Sequence, residues 1–134
     1  MSPLYDSAEP ADGRPGAASA SSVPALVAGT YVNPILDSDF PDPAVVEGHN
    51  GFYYAYVTQT LQDDRWNNVQ VARSNDLIHW EQLGDALPQN PNWARTSQDI
   101  WAPSVLFDGS TYFMYYSAKP DGCGKRHDHA LAVA

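Results

Sequence analysis

Apolar residues in this chain come in short, β-like runs separated by Gly, Asn, Asp and Pro. Ala-Val-Val-Glu at 44–47 is the first run. Residues 52–58, Phe-Tyr-Tyr-Ala-Tyr-Val-Thr, are aromatic and β-branched and follow Asn50-Gly51, a hairpin turn signal. Val-Gln-Val-Ala-Arg-Ser at 69–74 alternates as a third strand, residues 75–78 form a turn or one helical turn, and 79–83 form a fourth strand. A loop rich in Pro and Asn spans 84–97. The pattern then restarts with strands at 104–107 and 112–118 around a turn at Asp108-Gly109, and a last strand at 130–134. Residues 1–28 are rich in Ala, Ser, Pro and Gly without a hydrophobic period, which predicts a disordered leader or linker, with order beginning near Tyr31.

The restart is an internal repeat. Asp42-Pro43-Ala44-Val45-Val46 matches Ala102-Pro103-Ser104-Val105-Leu106, and Tyr53-Tyr54-Ala55-Tyr56 matches Tyr112-Phe113-Met114-Tyr115. The period, about 60 residues, suits a four-stranded unit plus loops. Short antiparallel strands repeated in fours predict an all-β fold of propeller blades. A two-sheet sandwich is the structural alternative, but it leaves the repeat unexplained. Blade one is expected at about 42–83 and part of blade two at about 101–134, within a domain spanning 29–134. Propellers typically close with four or more blades, so about two blades predict a longer natural protein or a truncated product.

Within this frame the acidic loop before the first strand, Asp37-Ser38-Asp39-Phe40-Pro41-Asp42-Pro43, stands out. A carboxylate at the mouth of a buried strand serves chemistry better than stability. Pro43 biases Asp42 toward an extended backbone. Asp39 and Asp42 also fit ordinary turn chemistry, in which Asp bonds turn backbone. The repeat sharpens the case for Asp42, because the equivalent residue is Ala102 and the scaffold therefore does not demand a carboxylate there.

Net charge changes the list of partners. With 7 Lys+Arg against 16 Asp+Glu the chain carries −9, which argues against nucleic acid and anionic membrane surfaces. No apolar run approaches the length of a transmembrane helix, and no intact signal peptide is visible, which leaves the compartment open. The single cysteine, Cys123, excludes an internal disulfide and has no His pairing or helix context to make it a nucleophile.

Asn33-Pro34-Ile35-Leu36, Asp39-Phe40-Pro41-Asp42-Pro43, the run Val71-Ala72-Arg73-Ser74-Asn75-Asp76-Leu77-Ile78-His79-Trp80, and Ile100-Trp101-Ala102-Pro103-Ser104-Val105 together resemble the N-terminal part of glycoside hydrolase family 43. That family comprises arabinanases, α-L-arabinofuranosidases and β-xylosidases. The resemblance implies a five-bladed β-propeller and an inverting hydrolase with three acidic residues, of which Asp42 matches the general base. The general acid and a second, orienting Asp lie on later blades, so this chain alone is expected to have little or no activity. Inversion places two carboxyl groups about 6.5–9.5 Å apart with a water between base and sugar. The resemblance puts Trp101-Ala102-Pro103 in the wall of the sugar pocket. An indole face suits the apolar face of a sugar ring, and small Ala102 leaves room for it. Phe40 is a weaker substrate-binding candidate of the same kind, and Trp80 and Arg73 read as blade structure. The expected partner is a carbohydrate containing arabinose first, xylose second.

No cofactor or metal is expected to be required, although family members can hold a structural calcium in the channel of the complete propeller. His127 and His129 share a face of the last strand but lack a third ligand, and the segment reads as a solvated loop. Three alternatives stay open: a non-catalytic carbohydrate-binding propeller, a split protein whose missing blades come from a second chain, and an inactive truncation product.

Overall fold

The computed structural model describes residues 31–96, 99–124 and 128–134; the leader expected at 1–28 lies outside the described residues. Nine strands follow in order: β1 (Ala44–Glu47), β2 (Tyr53–Val57), β3 (Thr60–Gln62), β4 (Arg65–Asn67), β5 (Gln70–Ser74), β6 (Glu81–Asp85), β7 (Ile100–Phe107), β8 (Tyr112–Ala118) and β9 (Ala130–Val133). The described residues contain no helix. They form a four-stranded sheet in the order β1-β2-β5-β6 and a three-stranded sheet in the order β7-β8-β9, all antiparallel. These are the two expected blades.

Two features differ from the sequence expectation. A hairpin, β3-β4, projects between β2 and β5, pairing Leu61 with Trp66. Its central residues Asp63 and Asp64 have φ of +49° and +59°, the left-handed pair that a two-residue hairpin turn needs. Asp tolerates that region, so the turn forms without the glycine that usually marks it. Strand β7 also starts at Ile100 rather than 104, because a bulge between Trp101 and Ser104 lets pairing with β8 resume beyond Pro103.

Each blade buries alternate positions. Ala55 and Val57 of β2 and Gln70, Ala72 and Ser74 of β5 share one buried face through the register Ala55↔Ala72 and Val57↔Gln70. The segment before β1 is tied to this sheet: Gln70 Nε2 donates to the Asp39 carbonyl at 2.9 Å and Gln82 Nε2 to Ser38 Oγ at 2.9 Å. The main core joins the two blades. Ile100, Met114, Tyr116 and Ala118 of blade two pack with Val69 and Ala94, and Tyr56 leans against them. Ile100 and Val69 are fully buried, each contributing about 1.5–3 kcal/mol by leaving water.

Polar side chains hold the connections. Asp85 accepts the backbone N–H groups of Asn68 (2.8 Å), Val69 (3.0 Å) and Leu87 (2.8 Å). Asn68 donates onward to the Leu87 carbonyl at 2.8 Å and accepts from Gln59 Nε2 at 2.9 Å. The foot of the projecting hairpin is thereby fixed to the outer strand of blade one.

Candidate functional site

Asp42 precedes β1 and Ala102 lies at the bulge of β7, each followed by proline. Their backbones agree: φ is +53° at Asp42 and +48° at Ala102. The extended conformation expected of Asp42 from Pro43 is therefore not found. Local hydrogen bonds outweigh the proline's steric bias. The Pro41 carbonyl accepts the Thr58 N–H at 3.1 Å, which turns the chain just before Asp42. A non-glycine residue in this region costs about 1–3 kcal/mol, a strain that structures tend to concentrate at functional sites.

One hydroxyl connects the two positions. Thr58, just beyond the end of β2, donates its Oγ1 proton to Asp42 Oδ2 at 2.8 Å and accepts the Ala102 N–H at 2.8 Å. Since the N–H occupies a lone pair of Oγ1, the hydroxyl proton is directed at the carboxylate. The next residue, Gln59, repeats the link through its backbone, donating N–H to the Ile100 carbonyl at 3.0 Å. Asp42 itself is exposed to solvent. The arrangement is a carboxylate at the open end of blade one, oriented by a hydroxyl that is itself held by blade two. The Thr58 bond engages only one of the two carboxylate oxygens, Oδ2.

Trp101 lies beside this link in the chain. Its indole stacks on the His129 imidazole with centroids 4.1 Å apart and planes 25° apart, yet remains 41% exposed. The stack fixes the ring orientation and leaves part of the indole open to solvent. Ala102 is exposed and adds no bulk beside it. Phe40 is placed differently. It lines an apolar groove of about 320 Å³ with Pro34, Ile35, Pro43, Ala55 and Trp80. It thus lies in the packing of the N-terminal segment on blade one, and Trp80 shares that groove while donating Nε1–H to the Leu77 carbonyl at 3.1 Å. Arg73 pairs with Glu81 at 2.9 Å across β5 and β6.

Thr58 has no site role in the reading of the sequence, and His129 enters it only as half of a weak metal pair rather than as the partner of Trp101. A signal for Thr58 existed, because the repeat puts Ser117 at the same position and both units carry a hydroxyl there. His129 had no such signal, since its stacking partner lies 28 residues earlier in the chain. No group of three or more His, Cys, Asp and Glu side chains among the described residues is arranged to hold a metal ion, and His127 lies outside them. Cys123 donates to Asp128 Oδ2 at 3.3 Å.

A family model described as glycosyl hydrolases family 43 matches residues 31–134. The chain is similar to the extracellular endo-α-(1→5)-L-arabinanase of Thermotoga petrophila, at 40% identity over 60% of this chain and 18% of that protein. It is also similar to a xylan 1,3-β-xylosidase from a Vibrio species, at 31% identity over 66% of this chain and 16% of that protein. Among solved structures, the native arabinanase of Bacillus subtilis superposes with a TM-score of 0.57 at 21% identity, covering 73% of this chain and 33% of that one. A thermostable family-43 glycoside hydrolase gives 0.54 at 28% identity, covering 78% and 31%. These structural neighbours are five-bladed propellers, and the two sheets described here correspond to part of that ring. The chain spans between 16% and 33% of the length of these four relatives.

Proposed function

The chain belongs to glycosyl hydrolases family 43, and from that footing we propose that it carries the general-base side of an inverting glycosidase cleft. The substrate class is polysaccharide or oligosaccharide containing arabinose or xylose. Arabinose comes first, because the relative at 40% identity is named an arabinanase and the one at 31% a xylosidase.

The observation that carries the reading is the matched pair Asp42 and Ala102. Two blades place the same left-handed residue before proline, and only one of them is a carboxylate. In the proposed reaction ionised Asp42 accepts a proton from a water as that water attacks the anomeric carbon. The Thr58 hydroxyl holds Oδ2, which leaves Oδ1 for the water. Trp101, fixed by His129, presents its exposed face to the sugar ring. The leaving oxygen takes its proton from a general acid supplied by blades outside these 134 residues, whether in the same polypeptide or in a companion chain. No cofactor takes part.

The test is sugar release from arabinan and from xylan by the protein in the presence of its remaining blades, with the anomer of the first product followed by NMR. Inverted product from wild type, and Asp42→Asn that still binds oligosaccharide without turnover, are the expected results. Full turnover in Asp42→Asn, or retained configuration in the product, would overturn the assignment. Saccharide binding with no turnover in wild type would make the protein a carbohydrate-binding propeller instead.

A further inference from the structure

The opposite end of β1 builds a second cleft. A cavity of about 330 Å³ lies between the β1–β2 turn and β8, lined chiefly by Gly48, His49, Asn50, Tyr54, Tyr56 and Tyr112. At a rise of about 3.3 Å per residue, the seven residues from Asp42 to His49 put the two sites roughly 20 Å apart. Blade one supplies one wall and blade two the other.

The rings are held in place by dedicated contacts. A Cβ at Gly48 would stand 2.7 Å from Tyr54 Cε2 and 2.9 Å from Asn50 Oδ1, so only glycine leaves room for the tyrosine ring here. Asn50 accepts the Phe52 N–H through Oδ1 at 3.3 Å and donates Nδ2–H to the Tyr54 hydroxyl at 2.8 Å. The Tyr112 hydroxyl accepts the His49 N–H at 3.2 Å, and its ring packs on Phe107 at 4.7 Å. His49 in turn lies 4.1 Å from Phe107, centroid to centroid.

The chemistry of the lining is that of a donor set. The Tyr54 and Tyr112 hydroxyls accept from the protein and so keep their own protons to give. Burial, followed by the neighbouring Tyr54 and Tyr112, pushes the Tyr56 phenol above its ordinary value, so it too remains a donor. Among the described residues no Lys or Arg lines the cleft, and the chain carries −9, which favours a neutral ligand over an anion. Tyrosine faces suit the C–H face of a pyranose or furanose, and phenolic donors suit its ring and hydroxyl oxygens.

We propose that this tyrosine cleft is a second saccharide-binding site, which holds a neutral stretch of polysaccharide away from the reacting bond. The site goes beyond the proposed function and requires no role for Asp42. It anchors a long chain without contributing to bond cleavage.

Affinity electrophoresis of the protein through gels containing soluble arabinan or soluble xylan tests this. Wild type and Trp101→Ala are expected to be retarded on at least one of the two. The double variant Tyr54→Phe/Tyr112→Phe keeps both rings and removes two donors, and is expected to lose about threefold to tenfold in apparent affinity. Its rate on a small aryl glycoside, measured with the remaining blades present, should match wild type. Retardation of the double variant equal to wild type overturns the proposal, as does loss of all retardation in Trp101→Ala. If the double variant melts early, the exposed His49→Ala replaces it with the same expected loss, and unchanged retardation again overturns the site. Retardation that depends on the tyrosines, in a protein that shows no hydrolytic activity even with its remaining blades present, would support this cleft while sinking the proposed function.

Discussion

Blade one and blade two solve the same backbone problem with different side chains. Each has a left-handed residue followed by proline near the start of its first strand, Asp42 just before β1 and Ala102 at the bulge within β7. Alanine has no side-chain acceptor with which to favour that conformation, and it is found there all the same. The turn therefore belongs to the blade architecture, while the carboxylate at Asp42 is an addition to it. Thr58 makes the contrast physical, since one Oγ1 serves the Asp42 carboxylate on one side and the Ala102 backbone on the other. A carboxylate that the scaffold does not need, bonded to a hydroxyl that the neighbouring blade holds in place, is suited to be a reactive group.

The largest break in the comparison is chemical. Asp42→Asn keeps size and turn tolerance and removes the proposed base, so turnover in the complete protein should fall by about 10²–10⁴-fold, the range for loss of general-base help. The melting temperature should stay close to that of wild type. The reciprocal Ala102→Asp puts a carboxylate at the same backbone position in blade two and should not restore activity to Asp42→Asn, because Thr58 approaches Ala102 through its N–H. Restored turnover in that double variant would show that the two positions are interchangeable.

The next break is structural. Ile100 is fully buried at the junction of the blades, and its carbonyl accepts from Gln59 beside Thr58. Ile100→Ala should cost about 2–5 kcal/mol in denaturant unfolding, by lost burial plus the cavity left behind. Trp101 and Ala102 follow it directly in β7, so loosening the junction should also reduce activity. Thr58→Val is smaller and more selective. It preserves shape, deprives Asp42 Oδ2 of its donor and orphans the Ala102 N–H, at about 1–3 kcal/mol. A Thr58→Ser variant should recover both bonds, which distinguishes loss of the hydroxyl from loss of packing.

Much of this contrast was legible in the sequence, and its limits have physical reasons. Strands β1, β2, β5, β8 and β9 coincide with the short apolar, aromatic and β-branched runs to within a residue or so, because such side chains suit the pleated, half-buried surface of a strand. The repeat that pairs Asp42 with Ala102 was visible for the same reason. The β3-β4 hairpin was missed because Asp63-Asp64 reaches the left-handed region without glycine, and because Leu61 and Trp66 are 54% and 47% exposed and form no core pattern. The left-handed state of Asp42 was misread because proline's local preference is a near-neighbour rule, whereas the bonds that override it come from Thr58, 16 residues later. Trp101 stands out in the sequence, but its stacking on His129 depends on the return of β9 and has no local signature.

Acid should expose a smaller difference between the blades. In blade one, Asp76 is held well below the usual carboxylate range by its hydrogen bond to the His79 ring, at 2.6 Å, and then by the His79 and Ile78 N–H groups. In blade two, the Thr111 and Ser110 N–H groups lower Asp108. Asp121, lowered first by the Thr96 hydroxyl, fastens the loop between the blades. Each folded-state value lies below the unfolded one, so the folded protein binds fewer protons in the interval between them. The stability contributed is present above the unfolded value, about pH 4, and is lost as pH falls toward the folded one. Melting temperature should therefore drop between about pH 5 and 3. Asp76→Asn should flatten the part of that drop arising from blade one and Asp108→Asn the part from blade two. A drop unchanged by either variant would locate acid sensitivity elsewhere.

The smallest effect tests the premise of the comparison most directly. If Ala102 carries strain because the blade demands φ near +48°, Ala102→Gly removes the Cβ clash at that position. Glycine also adds unfolded-state entropy, which opposes the gain by about 0.4–1 kcal/mol. The two terms nearly cancel, so the expected change in unfolding free energy is within about 1 kcal/mol of zero, where an ordinary Ala→Gly change within a strand would destabilise. Ala118→Gly in regular β8 is the control, because its residue is fully buried and has no positive φ to relieve. Equal destabilisation by the two substitutions would mean that Ala102 is not strained. The match with Asp42 would then be a coincidence of turn geometry rather than a property of the blade.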